Sequence, residues 1–130
     1  MTQHATGDFD VDLKPVASYD PAVGRMSIDK QFRGDLAATS KGEMLAVGGG
    51  EQGSAAYVAM ERVTGTLHGK RGTFALHHTG IMNRGAPSLT IWVVPDSGTD
   101  ELKGIAGAMQ IIISGDKHVY TFDYTLDGRR

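Results

Sequence analysis

Residues 63–80 read VTGTLHGKRGTFALHHTG. Apolar side chains alternate with polar or small ones on both sides of a glycine-rich centre, which is typical of two antiparallel strands joined by a tight loop. If residues 69–72 form a four-residue loop, Leu67 lies opposite Phe74 and the apolar faces of both strands coincide. The segment therefore predicts a β-hairpin with one buried face.

In two further predicted hairpins, the residues paired across the strands also have their apolar side chains on the same face. Met82 lies beside Leu89 in a middle hairpin and Ile111 lies opposite Tyr120 in a last hairpin, so each pair shares a face. Three more strands are predicted at residues 7–14, 25–36 and 43–47 (a short strand), and the first strand of the opening hairpin extends back through residues 54–64. The last of these segments also contains good helix formers, but a helix there would leave too few residues to pair with the next strand.

The predicted fold class is therefore all-β, with about eight antiparallel strands and one apolar face that must be buried. Without helices, the available architectures are a sandwich and a closed barrel. A barrel of about eight strands is wide enough to hold side chains or one small ligand. We expect a single domain covering residues 1–130.

The composition excludes several classes of site. The chain has no cysteine, which rules out disulfides, thiolate zinc sites, iron–sulfur clusters and a cysteine nucleophile. Its 13 basic and 15 acidic residues give no excess of positive charge of the kind that binds nucleic acid. No apolar run approaches the roughly 18 residues of a membrane span, and the N-terminal segment lacks a signal-peptide pattern. We therefore expect a cytoplasmic protein with no nucleic-acid or membrane partner.

No sequence motif predicts a metal or a cofactor. Residues 48–53, GGGEQG, match the glycine pattern of dinucleotide-binding folds, but the chain is too short for such a sheet and we expect a flexible loop. His77 and His78 are adjacent on a strand, so their side chains point to opposite faces and cannot chelate one ion. The chain also lacks the nucleophile-elbow motif of α/β-hydrolases and the HExxH motif of zinc proteases.

Four ionisable side chains fall on the face that the alternation assigns to the interior: Lys30, Glu61, His78 and His118. Glu61 and His78 are diagonal neighbours, about 7–8 Å apart at the backbone, so their side chains can meet. A carboxylate shared with an imidazole or an ammonium in an apolar cavity has a shifted pKa, which suits general acid–base chemistry. The alternative is a buried Lys30–Glu61 ion pair that only fixes the strand register.

Aromatic side chains occupy both faces of the predicted sheet. Tyr57, Tyr120 and Tyr124 face inward, where their hydroxyls orient a ligand or satisfy the same polar network. Together with His118, these three are the predicted ligand-binding residues. Trp92 falls on the outer face, where an exposed tryptophan more often marks a subunit contact, so we expect a homo-oligomer.

Five segments in order carry a family resemblance: KQFRGDL (30–36), YVAMERVTGTL (57–67), GTFALHHTG (72–80), PDSGT (95–99) and HVYTFDYTL (118–126). They resemble the bacterial family called domain of unknown function 3224 over nearly the whole chain. The resemblance implies a small antiparallel barrel similar to allene oxide cyclase, but it implies no reaction. The residues that match the family pattern on the inner face are Lys30, Tyr57, Glu61, His78 and Tyr120. His77 and Trp92 depart from that pattern.

These observations predict an interior site for a small, largely apolar molecule. In a first hypothesis the protein is a cofactor-independent isomerase or cyclase in which Glu61 is the acid or base and Lys30 and His78 tune its charge. In a second hypothesis the same pocket belongs to a ligand carrier or sensor that performs no chemistry. In a third hypothesis the protein is a structural homo-oligomer whose interior is filled.

Overall fold

A computed structural model describes residues 1–126 and shows a closed antiparallel barrel of eight strands. Each strand pairs with the next along the chain, and the last strand pairs with the first. The strands are β1 (Gln3–Val16), β2 (Gly24–Gly34), β3 (Leu36–Gly48), β4 (Ala55–Leu67), β5 (Lys70–Asn83), β6 (Ala86–Val93), β7 (Ala106–Ser114) and β8 (Lys117–Thr125). The prediction of a small all-β barrel is confirmed.

Within residues 1–126 the one helical element is a short 3-10 helix, Asp100–Leu102, in the connection between β6 and β7. Across the described residues, no helix has the length and apolar character needed to cross a membrane. The segment at residues 54–64, which carried helix-forming residues, belongs to strand β4 as predicted.

Strand β3 is much longer than the predicted strand at residues 43–47. It extends from Leu36 to Gly48, because its first half pairs fully with both β2 and β4. The prediction was too short because the inner face of this half carries small or polar residues, such as Ala38 and Ser40, rather than large apolar ones. In the longer strand, Ser40 is buried on the inner face of the barrel.

Two of the three predicted hairpin registers are wrong. The β4–β5 loop has two residues, His68 and Gly69, whose φ angles of 49° and 79° give the mirror-image turn that matches strand twist. Arg84 and Gly85 form the same kind of turn between β5 and β6, with φ angles of 49° and 89°. The registers therefore shift by an even number of residues, so every side chain keeps its predicted face. The β7–β8 register is confirmed.

The shifted registers change which residues face each other. Tyr57, rather than Glu61, lies opposite Gly80, and Leu89 also pairs with Gly80 instead of with Met82. Glu61 and His78 remain diagonal neighbours, because Ala59 now lies opposite His78.

One end of the barrel, which we call the closed end, is filled by a hydrophobic core. All eight strands contribute buried apolar side chains, among them Leu36, Leu67, Phe74 and Phe122. The rings of Phe74 and Phe122 stack with their centroids 5.7 Å apart. The connection containing the 3-10 helix adds Leu102, which is 1% exposed, so this connection covers the closed end. Burial of each large apolar side chain contributes about 1.5–3 kcal/mol.

The inner faces of the strands stay uncovered at the other end, which we call the open end. Met82 and Leu89 lie on the inner face there, yet their exposed fractions are 39% and 43%. Isolated exposed apolar residues are ordinary, but inward-facing ones in the mouth of a barrel mark a place where a ligand can bury them.

Close approach of β3 and β4 predicts the effect of two glycine substitutions. A Cβ at Gly42 would lie 2.0 Å from the carbonyl oxygen of Met60. We expect Gly42→Ala to lower the free energy of unfolding by about 1–3 kcal/mol, because the main chain of β4 has to move. Gly48 on the same strand is the control: open space surrounds its added Cβ, and Gly48→Ala should change stability by less than about 0.5 kcal/mol. Urea unfolding measures both variants, and equal losses would contradict the close approach.

Candidate functional site

Four neighbouring strands each place one buried polar side chain on the inner face: Lys30 on β2, Ser40 on β3, Glu61 on β4 and His78 on β5. We call these residues the buried quartet. Oε2 of Glu61 lies 2.8 Å from Nζ of Lys30 and 2.5 Å from Nε2 of His78, and Oε1 accepts a 2.5 Å hydrogen bond from the Ser40 hydroxyl. The Glu61 carboxylate, with 0% exposure, thus joins all four strands.

The strand registers explain why these side chains meet. Lys30 lies directly opposite Ser40, and the contacts from Ser40 to Glu61 and from Glu61 to His78 are both diagonal. The structure therefore brings together the Lys30, Glu61 and His78 side chains that the sequence singled out. Ser40 was missed because the predicted third strand began after it, and alternating small residues from Leu36 onward were the signal that could have found it.

The ammonium of Lys30 also rests on two aromatic rings. Its Nζ lies 5.0 Å from the ring centroid of Phe9 and 5.6 Å from that of Phe32. Such cation–π contacts stabilise a cation that has lost its water, in addition to the ion pair with Glu61. Lys30 is therefore held by Glu61 on one side and by the core on the other.

The Glu61 carboxyl group is held in its ionised form. Burial raises its pKa, but the hydrogen bond from His78 and the positive charge of Lys30 outweigh that effect and lower the pKa to about 2. Both carboxylate oxygens have donors, so the group has little capacity to accept a further proton. This arrangement is typical of a buried structural charge that is paired and hydrogen-bonded within the protein.

Two of the three predicted ligand-binding tyrosines have hydroxyls that contact the protein itself. The hydroxyl of Tyr120 accepts a hydrogen bond from the Leu36 amide and donates to the carbonyl of Arg33, which fixes the β2–β3 turn. The hydroxyl of Tyr124 lies 2.5 Å from Nδ1 of His68 in the β4–β5 turn. Burial raises the pKa of both phenols, so both stay protonated. Their contacts are structural, and the ligand-binding role stays a prediction.

Tyr57 differs from the other two tyrosines because its hydroxyl has no hydrogen-bond partner within residues 1–126. Every fully buried polar side-chain atom in this part of the chain does have a partner, so the Tyr57 hydroxyl is accessible. The ring packs against Gly80, where an added Cβ would lie 2.1 Å from the nearest ring atom. Gly80 therefore provides the space in which Tyr57 lies.

A pocket of about 300 Å³ opens beside Tyr57 at the open end of the barrel. Its walls come from β3, β4, β5 and β6 and include Met44, Ala46, Tyr57, Gly80, Met82 and Leu89. Of the described residues in its lining, only Tyr57 and Ser88 carry polar side chains, and Ser88 is exposed. The pocket is thus apolar, with one half-buried phenol in its wall.

The remaining predicted residues lie away from this pocket. His118 is partly buried on β8, with its ring 5.2 Å from that of Phe9. Trp92 is 51% exposed on the outer face, opposite His77 and Ala108. The subunit contact predicted there stays a prediction. Among the described side chains, no group of three or more histidines, aspartates or glutamates is placed to hold a metal ion.

Comparison with known proteins identifies the family. Curated proteins give no match. A crystal structure of a protein with unknown function from the DUF3224 family of Shewanella oneidensis MR-1 has 45% sequence identity with this chain. The alignment covers 96% of this chain and 97% of that protein, with a TM-score of 0.91. The model of the family described as protein of unknown function (DUF3224) matches residues 5–124. Since this match spans nearly the whole barrel, the chain belongs to the DUF3224 family, as its sequence motifs predicted.

Proposed function

We propose that this protein binds a small, largely apolar molecule in the pocket at the open end of the barrel. The observation that supports this most directly is the pocket itself, about 300 Å³ in volume and lined almost entirely by apolar side chains. Ligand sites are typically concave, apolar and equipped with few polar groups. A bound molecule would also cover Met82 and Leu89, whose inward-facing side chains are otherwise exposed to water.

The position of the buried quartet indicates that a ligand can bind in the pocket without any change in the core at the closed end. Along β4, Tyr57 of the pocket precedes Glu61, and Glu61 precedes Leu67 of the core. The same order holds along β5 from Met82 through His78 to Phe74. The quartet therefore separates the pocket from the closed end.

We favour a carrier or sensor over an isomerase or cyclase. General acid–base catalysis works best when the pKa of the catalytic group is near the working pH. Glu61, the predicted acid or base, instead has a pKa of about 2, no exposed side-chain surface and donors to both oxygens. In this proposal Lys30, Glu61 and His78 hold together β2, β4 and β5, two of which line the pocket, and they take no part in a reaction.

A neutral fluorophore tests the proposed pocket. N-phenyl-1-naphthylamine should bind the wild-type protein with increased fluorescence, because the pocket removes the dye from water. Ala46 lines the pocket, so the phenyl ring in Ala46→Phe should occupy the dye's space and weaken binding by about tenfold or more.

The matched control is Ala37→Phe, which adds the same ring to an exposed position of the same strand outside the pocket. This variant should bind the dye as the wild type does. Equal dye affinity of Ala46→Phe and wild type would place the binding elsewhere, for example on the outer face, and would contradict the proposal.

The structural role of Glu61 predicts how stability depends on pH. Its pKa is about 2 in the folded protein against an ordinary 4.5, so its contribution is complete above about pH 5 and is lost as the pH falls towards 2. The difference between these pKa values corresponds to about 3 kcal/mol of unfolding free energy. Urea unfolding at pH 5 and pH 2.5 measures this loss.

Glu61→Gln isolates that contribution, because the exposed carboxyl groups of Asp10 and Glu43 also have lowered pKa values beside arginines. The variant should be less stable at pH 5 and should lose less stability on acidification. A carbon-13 NMR titration of the Glu61 carboxyl in the wild type gives the pKa without a substitution. A value between about 6 and 8 would contradict the structural role and support acid–base chemistry.

A further inference from the structure

We infer that the molecule in this pocket is neutral and carries an acceptor oxygen, such as the carbonyl of a ketone, aldehyde or ester, that accepts a hydrogen bond from the Tyr57 hydroxyl. This inference rests on the proposed function, because it specifies the chemistry of the ligand of the same pocket. It depends on three features: the free hydroxyl, its protonated state and the absence of ionic groups from the pocket wall.

The first feature is a hydroxyl that the protein leaves unused. Tyr120 and Tyr124 also lie on the inner face, but their hydroxyls are hydrogen-bonded within the protein. The Tyr57 hydroxyl has no such partner among residues 1–126, and Tyr57 is one of the residues that line the apolar pocket. A hydrocarbon that filled the pocket would take water away from this donor and leave it unpaired, which weakens binding. A ligand with an acceptor oxygen avoids that loss.

The second feature is the protonation of Tyr57. Burial raises its pKa, and the negative charge of Glu61 raises it further, so the phenol keeps its proton through the neutral pH range. The hydroxyl is therefore available as a donor to a carbonyl oxygen.

The third feature is the lack of a partner for an ionic ligand. Among the described residues, the pocket lining contains no lysine, arginine or histidine and no acidic side chain. The Glu61 carboxylate, which acts on Tyr57 through space, would also repel an anionic group bound at the hydroxyl. A carboxylate or a phosphate at Tyr57 would thus be buried without a counter-charge, which is unfavourable. The pocket selects for a neutral molecule.

A matched pair of ligands tests this inference. 2-Acetylnaphthalene and 2-ethylnaphthalene have similar shapes, but only the ketone has an acceptor oxygen. Displacement of N-phenyl-1-naphthylamine should show that the wild type binds the ketone about tenfold more tightly, because one hydrogen bond is gained. Tyr57→Phe should remove this preference and bind the hydrocarbon as tightly as the wild type or more tightly, because no hydroxyl is left unpaired. Ser88→Ala, which removes the other polar side chain of the lining, should leave the preference unchanged.

Two further measurements complete the test. The carbonyl stretching frequency of bound 2-acetylnaphthalene should be lower in the wild type than in Tyr57→Phe, since a hydrogen bond weakens the carbonyl bond. 2-Naphthoate should bind at least about tenfold more weakly than the ketone at pH 7.5, because its charge has no partner in the pocket.

The outcomes separate this inference from the proposed function. Equal affinities for the ketone and the hydrocarbon in the wild type, or a preference that survives in Tyr57→Phe, would overturn the role of Tyr57 while the pocket remains a binding site. Naphthoate binding as tight as ketone binding would overturn the selection for neutral ligands. Failure of N-phenyl-1-naphthylamine and both neutral naphthalenes to bind would overturn the proposed function itself.

Discussion

The carboxylate of Glu61 is shielded from water, and its three hydrogen-bond donors come from three other strands. Because a buried charge without partners is strongly destabilising, Lys30, Ser40 and His78 must all reach it when the barrel closes. A one-residue slip between neighbouring strands would turn one of these side chains to the outer face. The quartet therefore links the electrostatics of the interior to the registers of β2, β3, β4 and β5.

This arrangement divides the barrel into two parts with different roles. Between the quartet and the closed end, the core is packed with aromatic and aliphatic side chains, and the hydroxyls of Tyr120 and Tyr124 contact turns of the chain. Towards the open end, the strands form an apolar pocket lined in part by Tyr57, whose hydroxyl has no hydrogen-bond partner among residues 1–126. Three of the four strands joined by Glu61, namely β3, β4 and β5, also form most of the pocket wall. The charged side chains of the quartet thus stabilise strands whose other ends form an apolar pocket.

The sequence predicted the faces of the strands better than their partners. Alternation alone assigns Glu61 and His78 to the interior, and that assignment survives any even shift in register. The partners depend on the two-residue turn at His68, which has a φ of 49°, a value that is uncommon for residues other than glycine. The sequence did not predict Ser40 as an inner-face residue, because small inner-face residues weaken the apolar alternation of β3. The contrast between Tyr57 and Tyr120 was not predictable, since main-chain atoms of a turn are the partners of Tyr120.

Amide chemical shifts of nitrogen-15-labelled protein, recorded during titration with 2-acetylnaphthalene, test whether the open end is the ligand site. The largest shifts should occur at Ala46, Tyr57 and Gly80 on the pocket wall, with only small shifts at Phe122 in the closed end. Shifts centred on the outer face around Trp92, or no shifts at concentrations that dissolve the ketone, would contradict it.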